Sequence, residues 1–171
     1  FIPAKSETLI GNIVYLKNWM IRSEVTNALD KIFVRNLDSN TEEELIFTDE
    51  KVYDGGVSLT QRDRNTDTIY ISYSTPKTQS RTYLYNLKTK LRLHLTEKEN
   101  LLLNYLYNNR NLKLTKHDLL INIWGVTEGI NTRTLETHIY RLKQKLYKLE
   151  ANLSFILINE NGFCLLYTSP S

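Results

Sequence analysis

The side chains with the most chemistry to offer lie in one run, Thr132 to Leu149, which reads TRTLETHIYRLKQKLYKL. Leu135, Ile139, Leu142, Leu146 and Leu149 recur at spacings of three and four, which predicts a helix with one face on a core. The other positions carry Arg133, Thr134, Thr137, His138, Tyr140, Arg141, Lys143, Gln144, Lys145 and Lys148, with Glu136 the only acid before Glu150. A solvated helix without a special role usually mixes signs, because acid and base at i, i+4 support each other. A nearly all-cationic face is what a helix opposite phosphates carries. An arginine fork suits the O6/N7 edge of guanine, while lysines answer phosphate oxygens without reading sequence.

Such a helix has to be held by neighbours, and the flanking sequence supplies them. Thr96-Glu-Lys-Glu99 has the form of a capping box, and Leu102, Leu103 and Leu106 follow at helical spacing up to Asn109. Thr115 with Asp118 repeats the device, and Leu119, Leu120, Ile123 and Trp124 form the buried face of a second helix ending at Gly125. After a polar loop, Val126 to Asn131, comes the basic helix. Phe155–Ile158 and Phe163–Tyr167 alternate as two strands around Asn159-Glu-Asn-Gly162, a turn in which Asn and Gly accept left-handed backbone. Two short helices, a basic helix and a hairpin are the parts of a winged helix-turn-helix. Ile69–Ser74, Thr82–Leu87 and Lys90–Leu95 alternate as half-buried strands in front of it.

This stretch resembles the effector domain of OmpR/PhoB-type response regulators, bacterial winged-helix transcription factors. The resemblance rests on LTEKENLLLNYL, LTKHDLLINIWG, TRTLETHIYRLKQKL and INENGFCLLY, four motifs in the family's order over roughly the last 90 residues. It implies a four-stranded sheet ahead of three helices, with the third helix in a major groove and the wing toward the adjacent minor groove. By position it places Arg141 and His138 on the groove side, with Arg141 as first choice for base readout, and Thr134, Thr137 and Tyr140 near base edges or backbone. Arg133, Lys143 and Lys145 would contact phosphate, and Lys116 and Trp124 would touch the backbone from the second helix. Asn159 stands in the wing, where many members carry basic residues, and Tyr140 replaces a common basic residue. The resemblance also implies double-stranded DNA and a homodimer on repeated half-sites. Further implied partners are RNA polymerase at the loop Val126–Asn131 and a sensor histidine kinase if a receiver lies upstream.

The first part of the chain reads differently. Leu9, Ile10, Ile13, Val14, Leu16, Met20, Ile21, Val25, Leu29, Ile32 and Phe33 fit a long helical stripe, which predicts either dimerisation by helix pairing or packing on the chain's own sheet. Short strands are expected between Leu45 and Leu59. Phe-Ile-Pro-Ala-Lys5 and the helix after it read either as the end of a receiver or as a segment peculiar to this lineage. The chain opens on Phe1 rather than Met, so residues upstream are expected. The expected fold is α+β: a winged helix-turn-helix with an N-terminal antiparallel sheet and a C-terminal wing hairpin, preceded by a long helix and short strands. The expected division is 1–68 and 69–171.

Composition narrows the remaining classes. Phe1–Ser80 holds 9 Lys/Arg against 12 Asp/Glu and Arg81–Ser171 holds 13 against 7, which puts −3 on the first part and +6 on the second. His94, His117, His138 and the single Cys164 fall at no metal-ligand spacing, and Glu42–Glu44 with Asp49, Glu50 and Asp54 reads as a solvated acidic turn. No phosphate loop or nucleophile motif is present, so neither catalysis nor a cofactor is expected. No run is long enough for a membrane span, and a lone cysteine in an apolar run suits a reducing compartment, so a cytoplasmic location is expected. The reading is a sequence-specific DNA-binding transcriptional regulator. The alternative is a winged-helix protein-interaction module that has lost specific DNA binding.

Overall fold

The computed structural model describes residues 7–46, 54–59, 64–109, 112–125, 132–149, 156–159 and 162–165; at 54–59, 78, 132, 156–159 and 162–165 the backbone alone is described. The chain divides into two compact units, Phe1–His94 and Leu95–Ser171.

Unit 1 is built from strands. β1 (Thr8–Tyr15), β2 (Trp19–Thr26), β3 (Leu29–Asn36) and β4 (Glu42–Glu44) form one antiparallel sheet in sequence order. β5 (Asp54–Leu59), β6 (Thr68–Thr75), β7 (Thr78–Asn86) and β8 (Arg92–Leu95) form a second sheet of the same topology. The long helix expected over Leu9–Phe33 is therefore replaced by three strands. Its apolar residues fit a 3.6-residue period, but the interruptions between them decide the outcome. Asn27 and Ala28 take φ of 53° and 60° between the paired Thr26 and Leu29, the left-handed pair of a two-residue hairpin turn. Many of the apolar residues are β-branched, which favours strands. Gly11 sits where the β1–β2 register shifts, and a Cβ there would meet the Ser23 hydroxyl at 2.5 Å. Ser23 Oγ instead accepts from the Asn12 amide at 2.9 Å.

The two sheets are copies of one module. Asn36 and Asn86, each at the end of its module's third strand, open the same turn. The Asn36 side-chain oxygen accepts from the amides of Asp38 and Ser39 at 2.9 and 3.0 Å, and its own amide donates to the Thr41 carbonyl at 2.9 Å. Asn86 does the same with Lys88 and Thr89 at 2.9 and 3.1 Å and with the Leu91 carbonyl at 2.9 Å. The next residues, Leu37 and Leu87, donate to the carbonyls of Asn18 and Asp67, just ahead of each second strand. Leu16, Ile21, Ile32, Val34 and Leu45 of the first module share one core with Ile69, Ile71, Tyr85 and Leu87 of the second. Trp19 Nε1 donates to Asp67 Oδ1 at 2.8 Å across the seam. The expected boundary at 68/69 falls inside β6 and parts it from β5, with which it pairs from Asp54↔Ser74 to Leu59↔Ile69.

Unit 2 holds the helices. α1 (Glu97–Asn108) starts at Thr96, whose hydroxyl accepts from the Glu99 amide at 3.3 Å while the Glu99 carboxylate accepts from the Thr96 amide at 2.8 Å. α2 (Lys116–Leu119) starts the same way at Thr115 with Asp118, runs on as a π-helical turn over Leu120–Trp124, and stops at Gly125 in left-handed backbone, φ 70°. α3 (Thr132–Lys148) follows, and β9 (Ile156–Asn159) pairs antiparallel with β10 (Gly162–Leu165) from Asn159↔Gly162 to Ile156↔Leu165. Leu102, Leu103, Leu106, Leu119, Ile123, Leu135, Ile139, Leu142, Leu146 and Leu149 are buried as the helical spacing predicts. The loop Val126–Asn131 lies outside the described residues.

The repeat makes a backbone prediction. Asn40 and Lys90 occupy equivalent turn positions with φ of 55° and 60°. Asparagine tolerates left-handed backbone better than lysine. Lys90→Asn is expected to raise the stability of unit 1 by a few tenths to about 1 kcal/mol, read as an increased midpoint in urea; a lower midpoint would count against the equivalence.

Candidate nucleic-acid interface

α3 buries Leu135, Ile139, Leu142 and Leu146 completely or nearly so, and Leu149 just beyond it is also buried. At about 100° per residue the opposite side carries Arg133, Thr137, Tyr140, Arg141, Gln144 and Lys148. All six are exposed, Tyr140 at 64 %. Thr134 is exposed beside them. The Thr137 hydroxyl donates to the Arg133 carbonyl at 2.8 Å, which fixes its rotamer and leaves its lone pairs outward. Gln144 and Lys148 were not among the expected site residues. Continuing the spacing Arg133, Thr137, Arg141 along the wheel finds both.

Other expected contacts sit elsewhere. His138 lies on the flank of α3, half-buried, with its ring 5.5 Å from that of Trp124 and its Nδ1 buried without a hydrogen-bond partner. It is a packing residue between α3 and the end of the second helix. Lys145 donates to the Glu99 carboxylate at 2.6 Å, and Glu99 is only 2 % exposed. Lys116 pairs with Glu136 at 2.5 Å; both are about half exposed, so the pair is weak and water competes for it. Lys143 is half-buried on the other flank. Trp124 is half-buried, with the Lys98 ammonium 5.8 Å above its ring and 2.8 Å from the Ile123 carbonyl. Asn159 ends β9 and is described by its backbone alone.

The structural boundary also redistributes the charge. Counted by unit, Phe1–His94 holds 13 Lys/Arg against 12 Asp/Glu and Leu95–Ser171 holds 9 against 7, that is +1 and +2. Arg81, Lys88, Lys90 and Arg92 belong to the second sheet module. What remains concentrated is α3 itself, with five basic residues and one acid. Among the described residues no three His, Cys, Asp or Glu side chains are grouped as metal ligands would be. No helix among them is long and apolar enough to cross a membrane.

Residues 88–165 match the family described as "Transcriptional regulatory protein, C terminal", the OmpR/PhoB-type C-terminal DNA-binding domain. Of the strands in front of the helices only β8 falls wholly inside the match, so β5 to β7 belong to the sheet repeat of unit 1. The chain is 34 % identical over 71 residues to the heme response regulators HssR of two strains of Staphylococcus epidermidis, covering 42 % of this chain and 32 % of theirs. It thus spans about a third of the length of those relatives. A solved structure, oligopeptidase B from Trypanosoma brucei with covalently bound antipain in its closed form, matches 56 % of this chain and 14 % of its own. That match has a TM-score of 0.50 at 20 % identity and shows likeness of fold alone. Unit 2 has 77 of the 171 residues, so a match of that extent includes part of unit 1.

The buried carboxylate at the start of α1 makes unit 2 sensitive to acid. Burial pushes the Glu99 carboxyl up, but the hydrogen bonds from Lys145 and from Thr96 outweigh it and hold the group below the usual carboxylate range. A depressed folded-state value means that its stabilisation is complete above about pH 5 and is lost as pH falls through that value. The difference in melting midpoint between wild type and Glu99→Gln is expected to be constant above the usual carboxylate range and to shrink as pH falls below it. Parallel curves throughout would show that Glu99 is not the group responsible.

Proposed function

We propose that the chain is the DNA-binding part of a two-component transcriptional regulator, with α3 in the major groove of a specific duplex. The observation that carries this reading is the exposed face Arg133, Thr137, Tyr140, Arg141, Gln144 and Lys148 on a segment of a DNA-binding family. Arg141 stands mid-helix with the fork needed for a guanine edge, and Thr137, Tyr140 and Gln144 flank it. On this reading Arg133 and Lys148, one at each end of α3, serve the phosphate backbone on either side of the groove. A homodimer on repeated half-sites, RNA polymerase at Val126–Asn131 and a kinase acting through a receiver elsewhere in the protein belong to the same reading.

A second reading, a protein-interaction module on the same fold, is favoured by the wing, where Asn159 and Glu160 stand in place of basic residues. Selection of bound sequences from a random duplex pool separates the two. On the first reading a motif emerges, Arg141→Ala weakens binding to it by roughly 1–3 kcal/mol, and preference relaxes at one base pair. Equal affinity and selectivity in Arg141→Ala would remove Arg141 from the readout, and a pool without a motif would favour the second reading.

A further inference from the structure

Two consecutive residues in the first turn of α1 each grip a different helix of the helix-turn-helix. Glu99, besides closing the cap at Thr96, holds the Lys145 ammonium of α3 at 2.6 Å. Lys98 donates to the Ile123 carbonyl at the end of the second helix at 2.8 Å and lies 5.8 Å over the Trp124 ring, which in turn packs on His138 of α3. A carbonyl near a helix C-terminus bears partial negative charge that attracts a cation. A buried carboxylate requires a charged partner, because leaving it unpaired costs more than the pair returns.

We propose that Lys98 and Glu99 are positioning residues that set the angle between the second helix and α3, and that Lys145 serves this clamp and makes no phosphate contact. The inference rests on the DNA-binding reading for its effect on recognition, while the clamp itself is a property of the fold. Lys145 is 28 % exposed and turned toward Glu99, whereas Lys148 is exposed on the face with Arg141. Two lysines three residues apart on one helix thus have separate tasks.

The test combines duplex titrations at several salt concentrations with thermal melts, on the whole chain, for Lys98→Met, Glu99→Gln, Lys145→Met, the pair Glu99→Gln/Lys145→Met, and Lys148→Ala. Glu99→Gln keeps an oxygen for the Thr96 amide, so the cap survives while the charge is lost. The clamp variants Lys98→Met, Glu99→Gln and Lys145→Met are expected to lose roughly 3- to 10-fold in discrimination between the selected duplex and a scrambled one, with an unchanged salt slope. Lys148→Ala should reduce the slope by about 1 and keep discrimination. The midpoint losses of Glu99→Gln and Lys145→Met should be non-additive in the pair. A slope reduced by about 1 in Lys145→Met would assign it to phosphate and overturn the proposal, as would additive melting losses. If wild type shows no salt-dependent duplex binding, the DNA reading falls and the melting cycle alone decides the clamp.

Discussion

The Glu99 carboxylate is the constraint around which unit 2 is arranged. It is almost fully withdrawn from water, and a buried carboxylate is tolerable only when its oxygens are met by donors of good geometry. Two of those donors are the Thr96 amide, which the first turn of α1 provides anyway, and the Lys145 ammonium, which comes from the far helix. One side chain therefore joins a local event, the start of α1, to a long-range one, the docking of α3. The apolar contacts of Leu102, Leu106, Leu135, Ile139 and Leu142 bring the helices together with little directional preference. The ion pair adds direction, because it forms at only one rotation of α3 about its axis.

Unit 1 solves a different problem with a repeated device. Each module turns its third strand into its fourth through an asparagine that stands in for missing backbone partners, at Asn36 and at Asn86. The modules then bury Ile21, Ile32 and Val34 against Ile69, Ile71 and Tyr85. The outer face of the first module departs from this apolar pattern. Where the second module has Ile71, the first has Arg22, which donates to Glu24 at 2.7 Å, contacts Glu42 through both terminal nitrogens and lies 4.6 Å over the Phe33 ring. Those contacts hold the Glu42 carboxyl below its ordinary range, the Arg22 hydrogen bond being the main cause.

The helical half was legible because its signals are local. Capping boxes at Thr96 and Thr115, a left-handed stop at Gly125 and the leucine spacing of α3 each act within one or two turns, and each formed where the residues indicated. The three strands over Thr8–Asn36 were not legible, since apolar residues at three- and four-residue spacing satisfy a helix as well as three short strands with polar turns, whereas the alternation over Ile69–Leu95 announced β6 to β8. The deciding features, Asn27-Ala28 in left-handed backbone and Gly11 against Ser23, show their effect only once the strands are paired. The same limit governed the site. Spacing finds the face with Arg133 and Arg141, but that Lys145 turns inward to Glu99 and His138 to Trp124 depends on partners many residues away.

Charge behaves likewise. A cut at Ser80 assigns the excess positive charge to the half that holds the helices, yet the fold places four of those basic residues in the second sheet module of unit 1, and the two units carry nearly the same net charge. Net charge is therefore a poor guide here, and screening explains why it need not be a good one. At physiological salt the reach of an exposed charge is about 8 Å, less than the width of a helix with its side chains. A phosphate in the groove would respond to the face it touches and hardly to the remainder of the chain. On α3 Glu136 is offset by Lys116 and Lys145 is committed to Glu99, and on the proposed reading the exposed side with Arg141 and Lys148 faces the duplex. On the proposed reading, recognition comes from the fit of Arg141, Thr137, Tyr140 and Gln144 to base edges. That fit requires α3 to be held at one rotation, which is what the Glu99–Lys145 pair provides.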